Sequence, residues 1–97
     1  MEIKKAALAG TLESSDVQVM ISPNDSGLTI DLVSDVKKQF GKAIMARVKQ
    51  VLSDYDVRHA TVKIVDKGAL DSVIKARTIA AVQRALDIVE EPKWEVL

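Results

Sequence analysis

Two adjacent serines, Ser14 and Ser15, raise the first question of chemistry in this sequence. They lie in the segment GTLESSD, flanked by Glu13 and Asp16, between two stretches that alternate in hydropathy. A serine in such a segment either serves the turn through local hydrogen bonds or offers its hydroxyl for attachment of a group. Because Ser-Ser-Asp is common turn material, the motif alone leaves both interpretations open.

A third serine, Ser72, follows Asp71 in the segment GALDSV, where a helix is expected to begin. The pattern looks like the Asp-Ser-Leu motif of phosphopantetheine carriers, in which the helix dipole favours the phosphate on the modified serine. Those carriers are acidic four-helix bundles, whereas this chain has 14 basic and 14 acidic residues and three strong strand signals. We therefore interpret Ser72 as an ordinary residue of the first helical turn.

Composition argues against most other site chemistry. The chain has no cysteine, which excludes disulfides, cysteine-ligated zinc and cysteine nucleophiles. Its single histidine, His59, leaves little room for a multi-histidine metal site or a histidine-assisted triad, and we interpret it as structural or solvent-facing. The glycines are isolated, so no phosphate-binding glycine loop is expected. The sequence therefore predicts no catalytic residue and no metal site.

Length and charge predict a small domain without a strong electrostatic field. The 97 residues fit a single domain over 1–97, with a C-terminal tail from about residue 92. No apolar run approaches the roughly 18 residues of a membrane span, and no signal peptide is recognisable, so we expect a cytoplasmic protein without a membrane partner. A net charge of zero and only one Phe, one Tyr and one Trp argue against nucleic-acid binding.

The first third of the chain predicts strands. Val17, Val19 and Ile21 alternate with polar residues, and residues 28–32 alternate in the same way. The intervening SPNDSG contains residues that favour turns, so we expect these two strands to pair as a hairpin. A weaker alternation in KKAALAGTLE predicts one more strand upstream.

Helical spacing begins after residue 34. The apolar stripe of the first helix, over residues 35–55, is Val36, Phe40, Ile44, Val48, Val51, Leu52 and Tyr55, with Ser34 as a candidate N-cap. The segment HATVKIV alternates as a strand, and a second helix is expected from about residue 69 to residue 90, with Leu70 on its apolar face and Pro92 as its stop. Trp94 either folds back onto the domain or contacts a partner.

The predicted fold class is therefore α+β. The element order is β-β-β-α-β-α, in a small, mainly antiparallel sheet with two long helices on one face. No internal repeat, linker or low-complexity segment interrupts this order.

Four segments together carry a family resemblance. They are AALAGTLESSD, SPNDSG, KQFG in the first helix and DKGALDSVIKAR, of which GTLESSD and GALD followed by IKAR are the most specific. Over about residues 5–85, nearly the whole chain, this pattern resembles the citrate lyase acyl carrier proteins, the gamma subunits of that enzyme.

The resemblance implies a covalent carrier without catalytic activity of its own. In this family the first serine of ESSD, here Ser14, bears 2'-(5''-phosphoribosyl)-3'-dephospho-coenzyme A through a phosphodiester bond. Ser15 is the second choice because it is adjacent and chemically identical. The group's thiol holds acetyl and citryl thioesters: the alpha subunit exchanges acetate for citrate, and the beta subunit releases oxaloacetate while regenerating the acetyl form. A prosthetic-group transferase and an acetylating ligase are implied as transient partners.

Two other hypotheses stay open at this point. The acyl-carrier subunit of malonate decarboxylase uses the same type of prosthetic group. A non-enzymatic interaction domain without a prosthetic group would instead use the lysine-rich first helix and the Trp94 tail as contact surfaces.

Overall fold

The computed structural model describes residues 3–34 and 37–87 of the chain. Its elements follow the predicted order of three strands, a helix, a strand and a helix. Their bounds are β1 Ala7–Gly10, β2 Val17–Pro23, β3 Leu28–Ser34, α1 Lys37–Asp54, β4 Ala60–Asp66 and α2 Asp71–Leu86. The tail that was expected from about residue 92, with Pro92 and Trp94, lies outside the described residues.

The four strands form one sheet in the order β1-β2-β4-β3. β2 pairs antiparallel with both β1 and β4, whereas β3 pairs parallel with β4. The α+β class is confirmed, and the sheet is mixed rather than purely antiparallel. The predicted hairpin between β2 and β3 is wrong because β4 lies between them: α1 provides the crossover that parallel strands require and returns the chain to the centre of the sheet.

One face of the sheet is buried, and both helices cover it. The strand register places Ala9, Val19, Ile64 and Leu32 in one row across this face, and each of them is buried. Residues of the other face are half-buried or exposed. Since α2 packs on β1 and β2 and α1 packs on β3, the predicted arrangement of two helices on one face is confirmed.

The helices are shorter than the apolar patterns predicted. Helix α1 ends at Asp54. Helix α2 ends at Leu86 because Asp87 adopts a left-handed conformation with a φ of 62°, and the Asp87 N–H donates back to the Arg84 carbonyl. The apolar stripes nevertheless supply the core, whose buried helical residues include Ile44, Val48, Val51, Leu52, Ile74, Ala81 and Ala85. The predicted residues 35, 36 and 88–90 of these helices lie outside the described part of the chain.

Two residues of the predicted apolar stripes are exposed instead of buried. Phe40 is 54% exposed and Leu70, at the N-cap position of α2, is 73% exposed. Both line an open groove of about 360 Å³ between the first turns of α1 and α2. Helical spacing correctly placed Phe40 on the same helix face as Ile44. It does not show how far along the helix that face is buried by other parts of the structure.

Candidate functional site

Ser14 and Ser15 lie in the loop that joins β1 to β2. These strands form an antiparallel hairpin in which Gly10 stands opposite Gln18, so residues 11–16 make up its connection. Both serines are exposed. The sequence-based expectation of a turn between two strands is therefore confirmed, and the two hydroxyl-bearing residues are open to solvent.

The loop begins at a position that only glycine can occupy without distortion. Gly10 has a φ of +89°, and a Cβ at this position would lie 1.8 Å from the carbonyl oxygen of Val17. Since this oxygen belongs to the main chain, the clash cannot be relieved by a side-chain rotation. Gly10 thus sets the close approach of the two strands where the serine-bearing loop starts.

The backbone on the C-terminal side of Ser14 is tied to the end of β4. Ser15 has a left-handed φ of 66°, and its N–H donates to the Lys67 carbonyl at 2.8 Å. The Lys67 N–H in turn donates to the Asp16 carbonyl at 2.9 Å, and the Asp16 N–H donates to the Glu13 carbonyl at 3.1 Å. Ser14 is therefore an exposed residue next to a backbone fixed by several hydrogen bonds.

The carboxylate of Asp16 anchors the same loop to helix α2. Thr11 Oγ1 donates to Asp16 Oδ2 at 2.6 Å, Arg77 Nη2 donates to Oδ2 at 3.0 Å, and Arg77 Nε donates to Oδ1 at 3.1 Å. The Val17 N–H also donates to Oδ1, at 2.7 Å. Together these donors, Thr11 foremost and then Arg77, lower the pKa of Asp16 from 3.8 to about 2. Asp16 is thus an ionised structural anchor and is poorly suited to act as a base.

Arg77 and Thr11 are contacts that the sequence did not reveal. Arg77 stands in the IKAR segment that contributed to the resemblance, but it is 61 positions from Asp16 and no spacing rule relates the two. Thr11 also accepts a hydrogen bond from the Glu13 N–H at 3.2 Å, whereas the Glu13 side chain is exposed. The basic residues of IKAR are the only sequence feature that points to this contact.

The other candidate residues lie on different elements. Ser72 is exposed in the first turn of α2, as its interpretation as a helical residue predicted. His59 is exposed and precedes Ala60, which pairs with Pro23, whereas the serine loop leads into Val17, which pairs with Asp66. His59 is therefore at the opposite end of the sheet from Ser14 and cannot act on its hydroxyl.

Metal-binding clusters and membrane-spanning helices are both missing from the described residues. Over 3–34 and 37–87, no group of three or more His, Cys, Asp or Glu side chains is arranged to hold a metal ion. In the same ranges, neither helix combines the length and apolar character needed to cross a membrane.

Comparisons with known proteins match this chain to acyl carrier proteins. Residues 4–85 match the family model described as malonate decarboxylase delta subunit (MdcD). Citrate lyase acyl carrier proteins from Leuconostoc citreum and Lactococcus lactis subsp. lactis are 65% and 63% identical to this chain over 97 residues, covering 100% of both chains in each case. A chain from the crystal structure of a Pseudomonas malonate decarboxylase hetero-tetramer in complex with malonate matches with a TM-score of 0.76 and 20% identity, covering 88% of each chain, which shows a shared fold.

Proposed function

This chain belongs to the family of citrate lyase acyl carrier proteins, and from that membership we propose that it bears 2'-(5''-phosphoribosyl)-3'-dephospho-coenzyme A on Ser14. As a member of this family it is a non-catalytic carrier subunit. The alternative of a malonate decarboxylase carrier is less well supported, because the solved chain of that enzyme is 20% identical, against 65% for a citrate lyase carrier over the full length.

The single observation that best supports Ser14 is its exposure on a fixed loop. A transferase must reach the hydroxyl, and Ser14 is exposed while the backbone of Ser15 and Asp16 is held by Lys67. The nearby Asp16 carboxylate is engaged by Thr11 and Arg77, so it is poorly suited to attack a phosphodiester on the loop or to activate a water molecule against it. The residues present therefore fit a stable covalent attachment.

The charges around the loop also fit a phosphate-rich group. The guanidinium of Arg77 hydrogen-bonds to Asp16, two residues after Ser14, and the Arg77 side chain remains 41% exposed. Cationic side chains near an attached phosphodiester reduce the repulsion among its negative charges. The Glu13 carboxylate is exposed and can turn away into solvent.

We propose that the carrier presents acyl groups to the alpha and beta subunits of citrate lyase. When attached, the prosthetic group supplies a thiol on which the acyl group is held as a thioester. The contribution of the chain itself is to fix the point of attachment, because a tethered group meets both subunits at a high effective concentration instead of diffusing freely. We further propose that the transferase and the acetylating ligase bind only transiently, in the cytoplasm.

Reconstitution of citrate cleavage tests this function. Wild-type carrier, Ser14→Ala and the matched control Ser15→Ala are each co-expressed with the transferase and the enzyme that forms its precursor, acetylated, and combined with alpha and beta subunits. We expect wild type and Ser15→Ala to support oxaloacetate formation and Ser14→Ala to remain at background. Full activity of Ser14→Ala would contradict the assignment of Ser14.

A further inference from the structure

The two edges of the sheet differ in their capacity to accept another strand. β1, at one edge, has four residues, and the guanidinium of Arg84 donates to its Leu8 carbonyl at 2.6 Å, which occupies an outward-facing acceptor. β3, at the other edge, has seven residues and pairs with β4 on one side; within the described residues no strand lies on its other side. An edge of this length presents a row of unpaired N–H and C=O groups.

A groove runs along the open edge of β3, between this strand and helix α1. Its wall on the sheet side is formed by Ile30, Asp31 and Leu32. Because successive residues of a strand point to opposite faces, a groove that contacts three in a row must follow the outer edge of the strand. The groove has a volume of about 610 Å³, and its helical wall consists of Gly41, Lys42, Met45, Ala46 and Lys49.

The charge of this groove favours an acidic occupant, because its lining contains two lysines and one aspartate, Asp31, opposite which the occupant must not place an acidic residue. Lys42 and Lys49 are exposed on its helical wall, and within the described part of the chain neither takes part in an ion pair. Lys42 and Lys49 are seven residues apart on α1, which separates them by about 10 Å along the helix axis. This separation matches that of acidic residues two to four positions apart on an extended chain. Met45 and Ile30 provide apolar surface between the charges.

We propose that β3 and α1 bind an extended acidic segment of another citrate lyase subunit, which adds to the outer edge of β3 as a fifth strand. Main-chain hydrogen bonds to β3 supply affinity in this mode, and Lys42 and Lys49 select acidic side chains. The identity of the partner rests on the proposed function, whereas the mode of pairing rests on the edge and groove alone.

The same surface disfavours a second copy of this chain as its occupant. If two copies paired antiparallel over the whole of Leu28–Ser34, Asp31 at the centre would face Asp31 of the second copy, and directly opposed like charges are destabilising.

Amide hydrogen exchange of the carrier, free and in the reconstituted complex with alpha and beta subunits, tests the proposal. We expect outward-facing amides of residues 28–34 to exchange quickly in the free carrier and to become protected in the complex, while residues 7–10 change little. The intact mass of the same carrier sample reports whether the prosthetic group is attached. Failure of strand addition and failure of the attachment hypothesis are therefore distinguished.

A charge-reversed variant tests the acidic specificity. Lys42→Glu/Lys49→Glu should weaken binding to the other subunits about tenfold, because two attractive contacts become repulsive. The matched control Lys4→Glu/Lys75→Glu changes the net charge equally at exposed positions elsewhere and should bind nearly as wild type. Equal weakening by both variants would show that binding depends on the net charge of the carrier and not on Lys42 and Lys49, which would overturn the proposal.

Three exchange results and an absence of binding would also overturn it. Unchanged exchange of residues 28–34 in the complex, or a carrier that does not bind the other subunits, would exclude the strand addition. Protection in the free carrier that rises with its concentration would indicate self-pairing. Protection in the free carrier that is lost when residues 88–97 are removed would identify the chain's own tail as the occupant.

Discussion

The side chains of Asp16 and Arg77 join the serine-bearing loop to helix α2. Arg77 Nη2 lies 3.0 Å from Asp16 Oδ2, and Arg77 Nε lies 3.1 Å from Asp16 Oδ1, a two-bond contact between a planar guanidinium and a carboxylate. The Asp16 side chain is 14% exposed in this contact, and the Arg77 side chain is 41% exposed. Since Asp16 follows Ser15 directly, the contact holds the loop that presents Ser14 against the helix.

Loss of the arginine is therefore expected to slow modification of the carrier. Arg77→Met replaces the aliphatic part of the arginine by a similar unbranched chain but removes both hydrogen bonds to Asp16. The loop should therefore sample more conformations when it meets the transferase. We expect prosthetic-group transfer to slow by roughly tenfold, because misplacement of a reacting group is costly. The matched control Lys75→Met removes a cation from an exposed position of the same helix and should leave transfer unchanged. Equal transfer rates for both variants would show that the contact between Asp16 and Arg77 does not contribute to prosthetic-group transfer.

The Asp16 anchor also predicts a pH-dependent stability difference. The hydrogen bonds from Thr11 and Arg77 lower the pKa of Asp16 from 3.8 to about 2 in the folded protein. A carboxyl whose pKa is lower in the folded state stabilises that state above its unfolded pKa, and this contribution is lost as the pH falls through the folded value. The difference in unfolding free energy between wild type and Asp16→Asn should thus be constant above about pH 5 and shrink towards pH 2.

Denaturant unfolding of both proteins across this range measures that difference. Arg58 and Arg47 lower the pKa of Asp56 and Asp71, respectively, through hydrogen bonds, so these carboxyls also titrate at low pH. Their effects occur in both proteins and cancel in the difference. A difference that does not vary with pH would contradict the role assigned to Asp16.

Gly10 should be far less tolerant of alanine than a glycine in open space. Gly10→Ala combines a left-handed φ with a Cβ that would lie 1.8 Å from the Val17 carbonyl oxygen, so the hairpin must shift. Gly27 has a φ of +109°, and a Cβ there would meet nothing within 4 Å, so Gly27→Ala carries only the conformational cost. We expect about 1–2 kcal/mol of destabilisation for Gly27→Ala and more than about 3 kcal/mol for Gly10→Ala. Equal destabilisation, measured by urea unfolding, would contradict the close approach at Gly10.

The element order was predictable because it depends on local periodicity. Alternation of Val17, Val19 and Ile21 and the helical stripe through Val48 and Leu52 report which side of each element is buried, and the structure confirms both. Strand order depends on contacts between distant segments. The turn residues of SPNDSG suggested a hairpin, but they are equally compatible with a connection that leaves room for β4 between β2 and β3.

The site was predictable only in part for the same reason. The exposed turn around Ser14 followed from local sequence, whereas its anchors come from β4 and α2, through Lys67 and Arg77. Exposure of Phe40 and Leu70 was missed because a periodic pattern identifies a helix face but not the length over which the face is covered.

The buried carboxylate of Asp66 should contribute to the turn that supports the loop. Asp66 is 1% exposed, and it accepts hydrogen bonds from the Ala69 N–H at 2.9 Å and from the Ser34 hydroxyl at 2.8 Å. Asp66→Ala leaves both donors without this acceptor and is expected to cost about 2 kcal/mol. Asp66→Asn retains an acceptor oxygen and should cost less. Thermal unfolding of the two variants measures which of them loses more stability. A smaller loss of stability for Asp66→Ala than for Asp66→Asn would contradict this role.

The most direct test of the carrier assignment is the intact mass of the chain after co-expression with the transferase and the precursor-forming enzyme, followed by fragmentation of the peptide that contains GTLESSD. We predict a mass increase of one phosphoribosyl-dephospho-coenzyme A, localised to Ser14, absent in Ser14→Ala and retained in Ser15→Ala and Ser72→Ala. An unmodified wild-type chain, with the transferase shown to be active on a known carrier, would contradict the account. Modification localised to Ser15 or Ser72 would contradict the assignment of Ser14.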